Sequence, residues 1–255
     1  MRVTVVGSGT ASLRLRRRHS CVVVETGAEV LVFDLGFRAV RGLRRAGVHP
    51  VEVDRVFLTH FHGDHTADLI PFLLHRRFGR RSGDKTPVRG SLTVTGPEPF
   101  PGFWRSSVRS LNGEAPEVLA LPSAAEKGAE VPLKLPGASL SWAPAKHRPE
   151  SIAYRLESGG RTLVITGDTE YAESVVALSR GAHAALVDCS FPDERPVPGH
   201  LTPHGVARLA SEAGVERVVL THIGPQAERL DLAREVARGY SGEVLVAEDG
   251  LRFEV

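Results

Sequence analysis

Cysteine is scarce in this chain, which excludes a fold held together by disulfide bonds. Only Cys21 and Cys189 occur among 255 residues, and neither lies in a Cys-X-X-Cys pair. The apolar neighbours of Cys189, among them Leu186 and Phe191, indicate a buried structural thiol rather than a nucleophile. Scarce cysteine fits a reducing compartment, and we expect the protein in the cytoplasm.

Long apolar runs and a large charge of one sign are missing as well. No stretch approaches the roughly 18 apolar residues that a membrane-spanning helix needs, so no membrane partner is expected. Residues 1–10 lack the features of a secretion signal. The formal net charge is only +2, so overall electrostatics do not demand a nucleic-acid partner. The composition is that of an ordinary soluble protein, and we expect one domain over residues 1–255.

Strand and helix signals divide the chain into two similar halves. In the first half, the patterns predict strands at 2–6, 20–25, 29–34, 53–58 and 91–95, and helices at 37–46 and 66–78. In the second half, they predict strands at 151–156, 161–166, 184–188, 217–220, 243–247 and 251–255, and helices at 171–180, 203–213 and 230–240. Each half supplies a sheet and its own helices. This predicts an α/β fold, a four-layer αββα sandwich of two mixed β-sheets flanked by helices.

The strongest chemical signal is the segment HFHGDH at 60–65, directly after a predicted apolar strand. It offers four potential metal ligands within six residues. Imidazole nitrogens and carboxylate oxygens are ligands that zinc, manganese and iron accept. We expect two ligand pairs that serve two ions and are separated by a backbone bend at Gly63: His60 with His62, and Asp64 with His65.

Three more potential ligands lie near predicted strand ends elsewhere in the chain. Asp168 follows the strand at 161–166, His222 follows the strand at 217–220, and His147 lies in a proline-flanked loop. Ligands at strand ends are rigidly placed, as a metal site requires. Together with the segment at 60–65, these residues would complete the ligand shells of two ions.

The order HxHxDH, a single histidine, GDT and TH resembles the metallo-β-lactamase superfamily. Within it, the chain is similar to the ribonuclease Z-like and phosphodiesterase-like subgroup. The segments that carry this second resemblance are GSGTAS at 7–12, VFDLG at 32–36, ITGDT at 165–169 and GHLTP at 199–203. The resemblance covers nearly the whole chain.

The resemblance implies a role for each of these residues. It assigns His60, His62 and His147 to a first metal, Asp64, His65 and His222 to a second, and Asp168 to both. The two divalent ions would be zinc, or else manganese or iron, and would hold a bridging hydroxide that attacks the substrate. Asp64 would also hold a proton of this water, and His200 would give a proton to the leaving oxygen.

We therefore expect a hydrolase that cleaves a phosphodiester in a small molecule, a nucleotide or RNA. Two departures from ribonuclease Z argue against transfer RNA. The long arm that grips transfer RNA is missing, because only residues 157–161 lie at its place. The expected glutamate near the catalytic histidine is also absent, and Asp188 could stand in for it.

Other chemistries of the superfamily stay open. The main alternative is an ester, thioester or lactone hydrolase, although such enzymes place the third histidine in an HTxGH-type segment and His147 lies in AKHRP. A secreted β-lactamase is less expected, because residues 1–10 lack the features of a secretion signal. An iron oxidoreductase is also less expected, because no flavin domain follows the metal-binding motifs. A non-catalytic metal scaffold is disfavoured because structural zinc sites are closed, whereas this ligand set leaves open positions.

Two arginine-rich segments offer contacts for a substrate phosphate. They are Arg14 to Arg18 and Arg76 to Arg81. Charged segments are more often solvated surface, so both interpretations stay open here.

The resemblance also suggests a homodimer.

Overall fold

The computed structural model describes residues 1–79, 90–108, 117–121 and 132–255, and the strands in this part of the chain form two seven-stranded sheets. The strands, β1 to β14 in chain order, are Arg2–Gly7, Cys21–Glu25, Val30–Phe33, Arg55–Phe57, Thr93–Pro97, Glu117–Leu121, Leu133–Leu135, Ala138–Pro144, Ile152–Ser158, Arg161–Ile165, Ala184–Asp188, Arg217–Thr221, Glu243–Val246 and Arg252–Glu254. The helices, α1 to α7, are Ala39–Arg45, Gly63–Thr66, Leu69–Gly79, Phe100–Val108, Glu173–Ser179, Pro203–Ala213 and Leu232–Ala237.

The two sheets share one pattern of strand directions. The first runs in the order β14-β1-β2-β3-β4-β5-β6, and the second in the order β13-β12-β11-β10-β9-β8-β7. Strands β3 to β6 pair in parallel in the first sheet, as β10 to β13 do in the second. The remaining pairs are antiparallel. Both sheets are therefore mixed, as the sequence predicted.

The strands are apolar on both faces because both faces are covered. In β2, Val22 and Val24 face the other sheet, while Cys21 and Val23 face the outer helices. Buried apolar residues accordingly form three clusters, one between the sheets and one on the outer face of each. Three clusters between four layers confirm the αββα sandwich.

An aromatic group ties the two sheets together near the edge that carries the metal ligands. The rings of Phe33, Phe57 and Tyr154 contact one another, with centroids 5.2 to 5.7 Å apart. The Tyr154 hydroxyl donates to the carbonyl oxygen of Leu58 at 2.6 Å, from the second sheet to the first. The loop after β4 is thereby held against β9.

Helix ends differ from the prediction where the backbone leaves helical geometry. Helix α1 begins at Ala39 rather than at 37 because Arg38 is left-handed, with φ 71°. The last helix begins at Leu232 rather than at 230, because the Asp231 side chain caps it by accepting from Arg234 N. The backbone changes from extended at His62 to helical at Gly63, which begins the short helix α2.

The polar, glycine-containing residues at 80–90 predict a loop after α3, and apart from Gly90 this segment lies outside the described residues. Among the described helices, none has the length and apolar character needed to cross a membrane.

Candidate metal centre

Side chains from both sheets meet at the edge of the sandwich where the parallel strands end. The predicted site residues lie on α2 and on the loops next to strands and α6: His60, His62, Asp64, His65, His147, Asp168, His200 and His222. The structure places all eight in three overlapping groups whose potential ligand atoms lie within 4.8 Å of one another. Asp168 belongs to all three groups, so it stands at the middle of the centre.

The first group joins His60 and His62 of the first sheet with His147 and Asp168 of the second. Nε2 of His147 lies 3.0 Å from Nδ1 of His62. Oδ2 of Asp168 lies 3.7 Å from Nε2 of both His60 and His147. His62 is exposed, so this group faces solvent on one side.

The second group is formed by Asp64, His65, Asp168 and His222, and all four are buried. Nε2 of His222 lies 3.2 Å from Oδ2 of Asp64 and 3.4 Å from Nε2 of His65. Oδ1 of Asp168 lies 3.2 Å from Nε2 of His65. The two carboxylate oxygens of Asp168 therefore face different groups.

The donor set fits divalent cations. Nε2 of His60 and Oδ1 of Asp168 are buried, and neither has a partner in hydrogen-bond geometry among the described residues. Buried polar atoms are rarely left without a partner. Nitrogen and oxygen atoms lie 3.2 to 3.7 Å from these two atoms, and they are the ligand types of zinc, manganese and iron.

Negative charge dominates the centre. Burial alone would raise the pKa of Asp168, but His222 and His65 hold that pKa well below its usual range. Against the opposing effect of burial, Asp168 raises the pKa of His65 well above its usual range and that of His222 to about 10. Burial instead lowers the pKa of His60. The ionised Asp168 thus attracts positive charge, either protons on the histidines or a metal cation.

Asp34 supports the second group from behind. Its Oδ2 lies 2.7 Å from Nδ1 of His65, which leaves Nε2 of that ring directed at the centre. Its Oδ1 accepts from the backbone N–H of Thr59 at 2.8 Å. Oγ1 of Thr59 in turn lies 3.1 Å from Nδ1 of His60. Partners of this kind fix the tautomer and orientation of histidine ligands.

Gly199 supports the first group in the same way. Its carbonyl oxygen lies 2.9 Å from Nδ1 of His147. Its N–H donates to Glu170 at 2.7 Å, and Glu170 also forms an ion pair with Lys146, next to His147. Gly199 has φ 90°, and a Cβ there would come 2.5 Å from Nδ1 of His147, so only glycine fits this contact.

His200 lies at the entrance of the centre and is paired with a buried carboxylate. Its Nδ1 lies 2.9 Å from Oδ2 of Asp188. This hydrogen bond raises the pKa of His200, against the opposing effect of burial. The ring centroid of His200 lies 4.8 Å from that of His147 and 5.5 Å from that of His222. Asp188 therefore lies beside His200, as expected for a residue that stands in for the glutamate of ribonuclease Z.

Two arginines of the first arginine-rich segment, Arg14 and Arg17, make contacts that stabilise the fold. Arg17 is buried, and it donates to Ser8 Oγ at 2.7 Å and to the carbonyl oxygen of Ala247 at 2.6 Å. Arg14 and Arg17 both pair with Glu228. These contacts anchor the loop after β1 to the second half of the chain.

The second arginine-rich segment is described only in part. Arg76 is buried and donates to the carbonyl oxygens of Pro50 and Val53 at 3.0 and 2.6 Å. It therefore ties α3 to the loop before β4. Arg80 and Arg81 lie outside the described residues.

Sequence reasoning gave no role to several residues that support the centre. Asp34 was noted only as part of VFDLG, although an acidic residue at a strand end was a usable signal. Ser190, whose hydroxyl lies 2.8 Å from Nδ1 of His222, and Glu170 carried no signal in the sequence. Cys189 is buried as predicted, and burial raises the pKa of its thiol, which suits a structural rather than a nucleophilic residue.

Comparisons with known proteins show the family and the fold of this chain. Residues 22–223 match the family model of the beta-lactamase superfamily domain. Ribonuclease Z of Haloarcula marismortui is 27% identical over 308 aligned positions, which cover 100% of this chain and 97% of the relative. The crystal structure of the metallo-beta-lactamase fold protein YhfI from Bacillus subtilis superposes with a TM-score of 0.83 at 23% identity, covering 100% and 99% of the two chains. That of human tRNase Z, short form, has a TM-score of 0.78 at 24% identity, with the same coverage.

The match to the family model includes every residue of the three ligand groups, from His60 to His222. The structural likenesses show the same fold across the whole chain. The residues of the centre also have the chemistry that divalent metal ions require. This chain belongs to the beta-lactamase superfamily, a family of metal-dependent hydrolases.

Proposed function

We propose that this protein is a binuclear metal-dependent hydrolase that cleaves phosphodiester bonds. The observation that carries the proposal is the pair of four-residue ligand groups that share Asp168. His60, His62 and His147 would hold one ion, Asp64, His65 and His222 the other, and Asp168 would contact both. Zinc is the metal we propose, because imidazole-rich sites of low coordination number suit it.

The chemistry divides between the metals and the protein. Bound divalent ions would polarise the phosphoryl group and lower the pKa of the attacking water. The carboxylate of Asp64 would orient this water and accept its proton. His200 would protonate the leaving oxygen through Nε2, because its Nδ1 is engaged by Asp188 at 2.9 Å.

Similarity to ribonuclease Z over the full chain supports a phosphodiester as the substrate. The short connection between β9 and β10 argues for a small substrate. Strands β9 and β10 are joined by the tight turn at Gly159-Gly160, so no arm emerges there. The alignment with ribonuclease Z spans 308 positions against the 255 residues of this chain, whereas that with YhfI spans 261. We propose a nucleotide or another small phosphodiester rather than transfer RNA.

Turnover of bis(p-nitrophenyl) phosphate tests the reaction class. Protein loaded with zinc or with manganese should hydrolyse it, and activity should fall to background in Asp64→Ala, which removes a ligand and the proton acceptor. His204→Ala is the matched control, because His204 is an exposed histidine on α6 and should leave activity unchanged.

Two other outcomes would change the proposal. A protein that binds two ions per chain but leaves the phosphodiester intact would favour an ester, thioester or lactone as the substrate, which p-nitrophenyl acetate and a lactone would test. A protein that binds fewer than two ions at saturation would contradict the binuclear centre.

A further inference from the structure

The hydroxyl of Ser190 lies at a junction between the metal centre and the His200–Asp188 pair. Ser190 is fully buried, and Oδ1 of Asp188 is the nearest acceptor to its Oγ. Nδ1 and the carbonyl oxygen of His222 each lie 2.8 Å from the same Oγ. Nδ1 of His200 is farther away, at 3.4 Å. Ser190 thus touches the partner of one histidine and the ring of another.

Counting protons fixes the direction of these hydrogen bonds. A serine hydroxyl has one proton to donate and can also accept. The carboxylate of Asp188 is both the nearest and the strongest acceptor, because hydrogen bonds to ionised groups are stronger than those to carbonyls. The serine oxygen is then left to accept from Nδ1–H of His222.

This direction determines what His222 presents to the centre. With its proton on Nδ1, a neutral imidazole has its free electron pair on Nε2. Nε2 of His222 lies 3.2 Å from Asp64 and 3.4 Å from Asp168, inside the second ligand group. A ring without the serine would be free to take the other tautomer, which cannot donate an electron pair from that atom.

The backbone of His222 has an uncommon conformation, and main-chain hydrogen bonds hold Ser190 next to it. Its φ of 53° lies in the left-handed region, which residues other than glycine rarely adopt. Two main-chain hydrogen bonds hold Ser190 beside it, from Cys189 N to Thr221 O at 3.0 Å and from Gly224 N to Ser190 O at 3.2 Å. The strand ends of β11 and β12 therefore fix the serine and the histidine relative to each other.

We propose that Ser190 is a positioning residue that holds His222 as the Nδ1–H tautomer, with Nε2 directed at the second metal. Because Asp188 also accepts from His200 at 2.9 Å, one buried carboxylate orients both a metal ligand and the proton donor. This inference rests on the proposed metal centre but not on the identity of the substrate.

Metal binding in the absence of substrate tests the role of Ser190. In Ser190→Ala, competition with a chelator should show one zinc ion bound about 10- to 100-fold more weakly, while the affinity for the other stays unchanged. This range is typical when a hydrogen-bond partner of a metal ligand is removed. Ser179→Ala is the matched control, because Ser179 is also fully buried and its hydroxyl has no hydrogen-bond partner among the described residues. It should bind both ions as the unsubstituted protein does.

A spectroscopic measurement keeps the inference testable even if Ser190→Ala does not fold. In the zinc-loaded, unsubstituted protein with ¹⁵N-labelled histidine, two-bond ¹H–¹⁵N correlations should place the His222 proton on Nδ1. Zinc bound through Nδ1 with the proton on Nε2 would overturn the inference. So would unchanged affinity for both ions in Ser190→Ala. Neither result depends on which ester is cleaved, so inactivity toward phosphodiesters would leave this test intact.

Discussion

At the scale of single residues, the proposed proton donor, His200, can be distinguished from the proposed metal ligands by the leaving group of the substrate. In His200→Ala, hydrolysis of a dinucleoside phosphate, whose leaving oxygen is an alkoxide, should fall by about 10²- to 10⁴-fold. Bis(p-nitrophenyl) phosphate should be affected far less, since its leaving group departs without a proton. The metal content should not change. An equal loss with both substrates would show that His200 is not the proton donor.

The residues of the candidate metal centre were predictable from the sequence because each is a metal-binding type at a strand end or within one short segment. The residues that form hydrogen bonds with these candidate ligands were not predictable. Asp34 and His65 are 31 positions apart, and their contact exists only after β3 and β4 pair. Ser190 is small and common, and nothing in its neighbours indicates a hydrogen bond to His222. Hydrogen-bond partners of ligands depend on tertiary contacts that local patterns do not encode.

At the scale of elements, the loop at Gly199 and the loop at His147 position each other, and Gly199→Ala should disturb both. Backbone strain at φ 90° should cost about 1–3 kcal/mol of unfolding free energy. The added Cβ should also displace His147 and weaken binding of one metal ion about 10- to 100-fold. Denaturant titration and chelator competition measure the two effects.

Gly250→Ala is the control that separates the effect of backbone strain from the displacement of His147. Gly250 has a similar φ of 98°, yet a Cβ there would meet nothing within 4 Å. It should lose a comparable amount of stability while binding both ions normally. Equal metal affinity in the two variants would contradict a positioning role for Gly199.

Elements with strong apolar patterns were predicted well, and those set by local backbone geometry were not. Strand β11 and helix α6 have the predicted bounds, because the strand is apolar on both faces and the helix has Thr202 as its N-cap and Gly214 as its C-cap. Helix α2 was missed because it has only four residues, two of which are candidate metal ligands, and carries no apolar period.

At the scale of the whole molecule, the centre lies between two sheets with matching strand directions. The first sheet and α2 provide four potential ligands, and the second sheet provides three, so a bound ion would cross-link the two halves of the chain. The central aromatic group of Phe33, Phe57 and Tyr154 makes the same connection through apolar contact. We therefore expect metal removal to lower the stability of the entire domain rather than of one loop.

The pH dependence of stability should differ between the metal-free and the metal-loaded protein. In metal-free protein the pKa of His222 is raised from 6.5 to about 10, against burial, chiefly by Asp168. The stability that this proton contributes is fully present below 6.5 and is lost as the pH rises toward about 10. A metal needs neutral imidazole, so the contribution of the metal to stability grows over the same pH range.

Urea unfolding of chelator-treated and zinc-loaded protein, repeated from pH 6.5 upward, measures this difference. The free energy of unfolding of the chelator-treated protein should fall, and the gap between the two proteins should widen. His222→Gln should reduce the metal-free slope without abolishing it, because Asp168 also raises the pKa of His65. A metal-free free energy that rises with pH would show that His222 is not held protonated by the carboxylates around it.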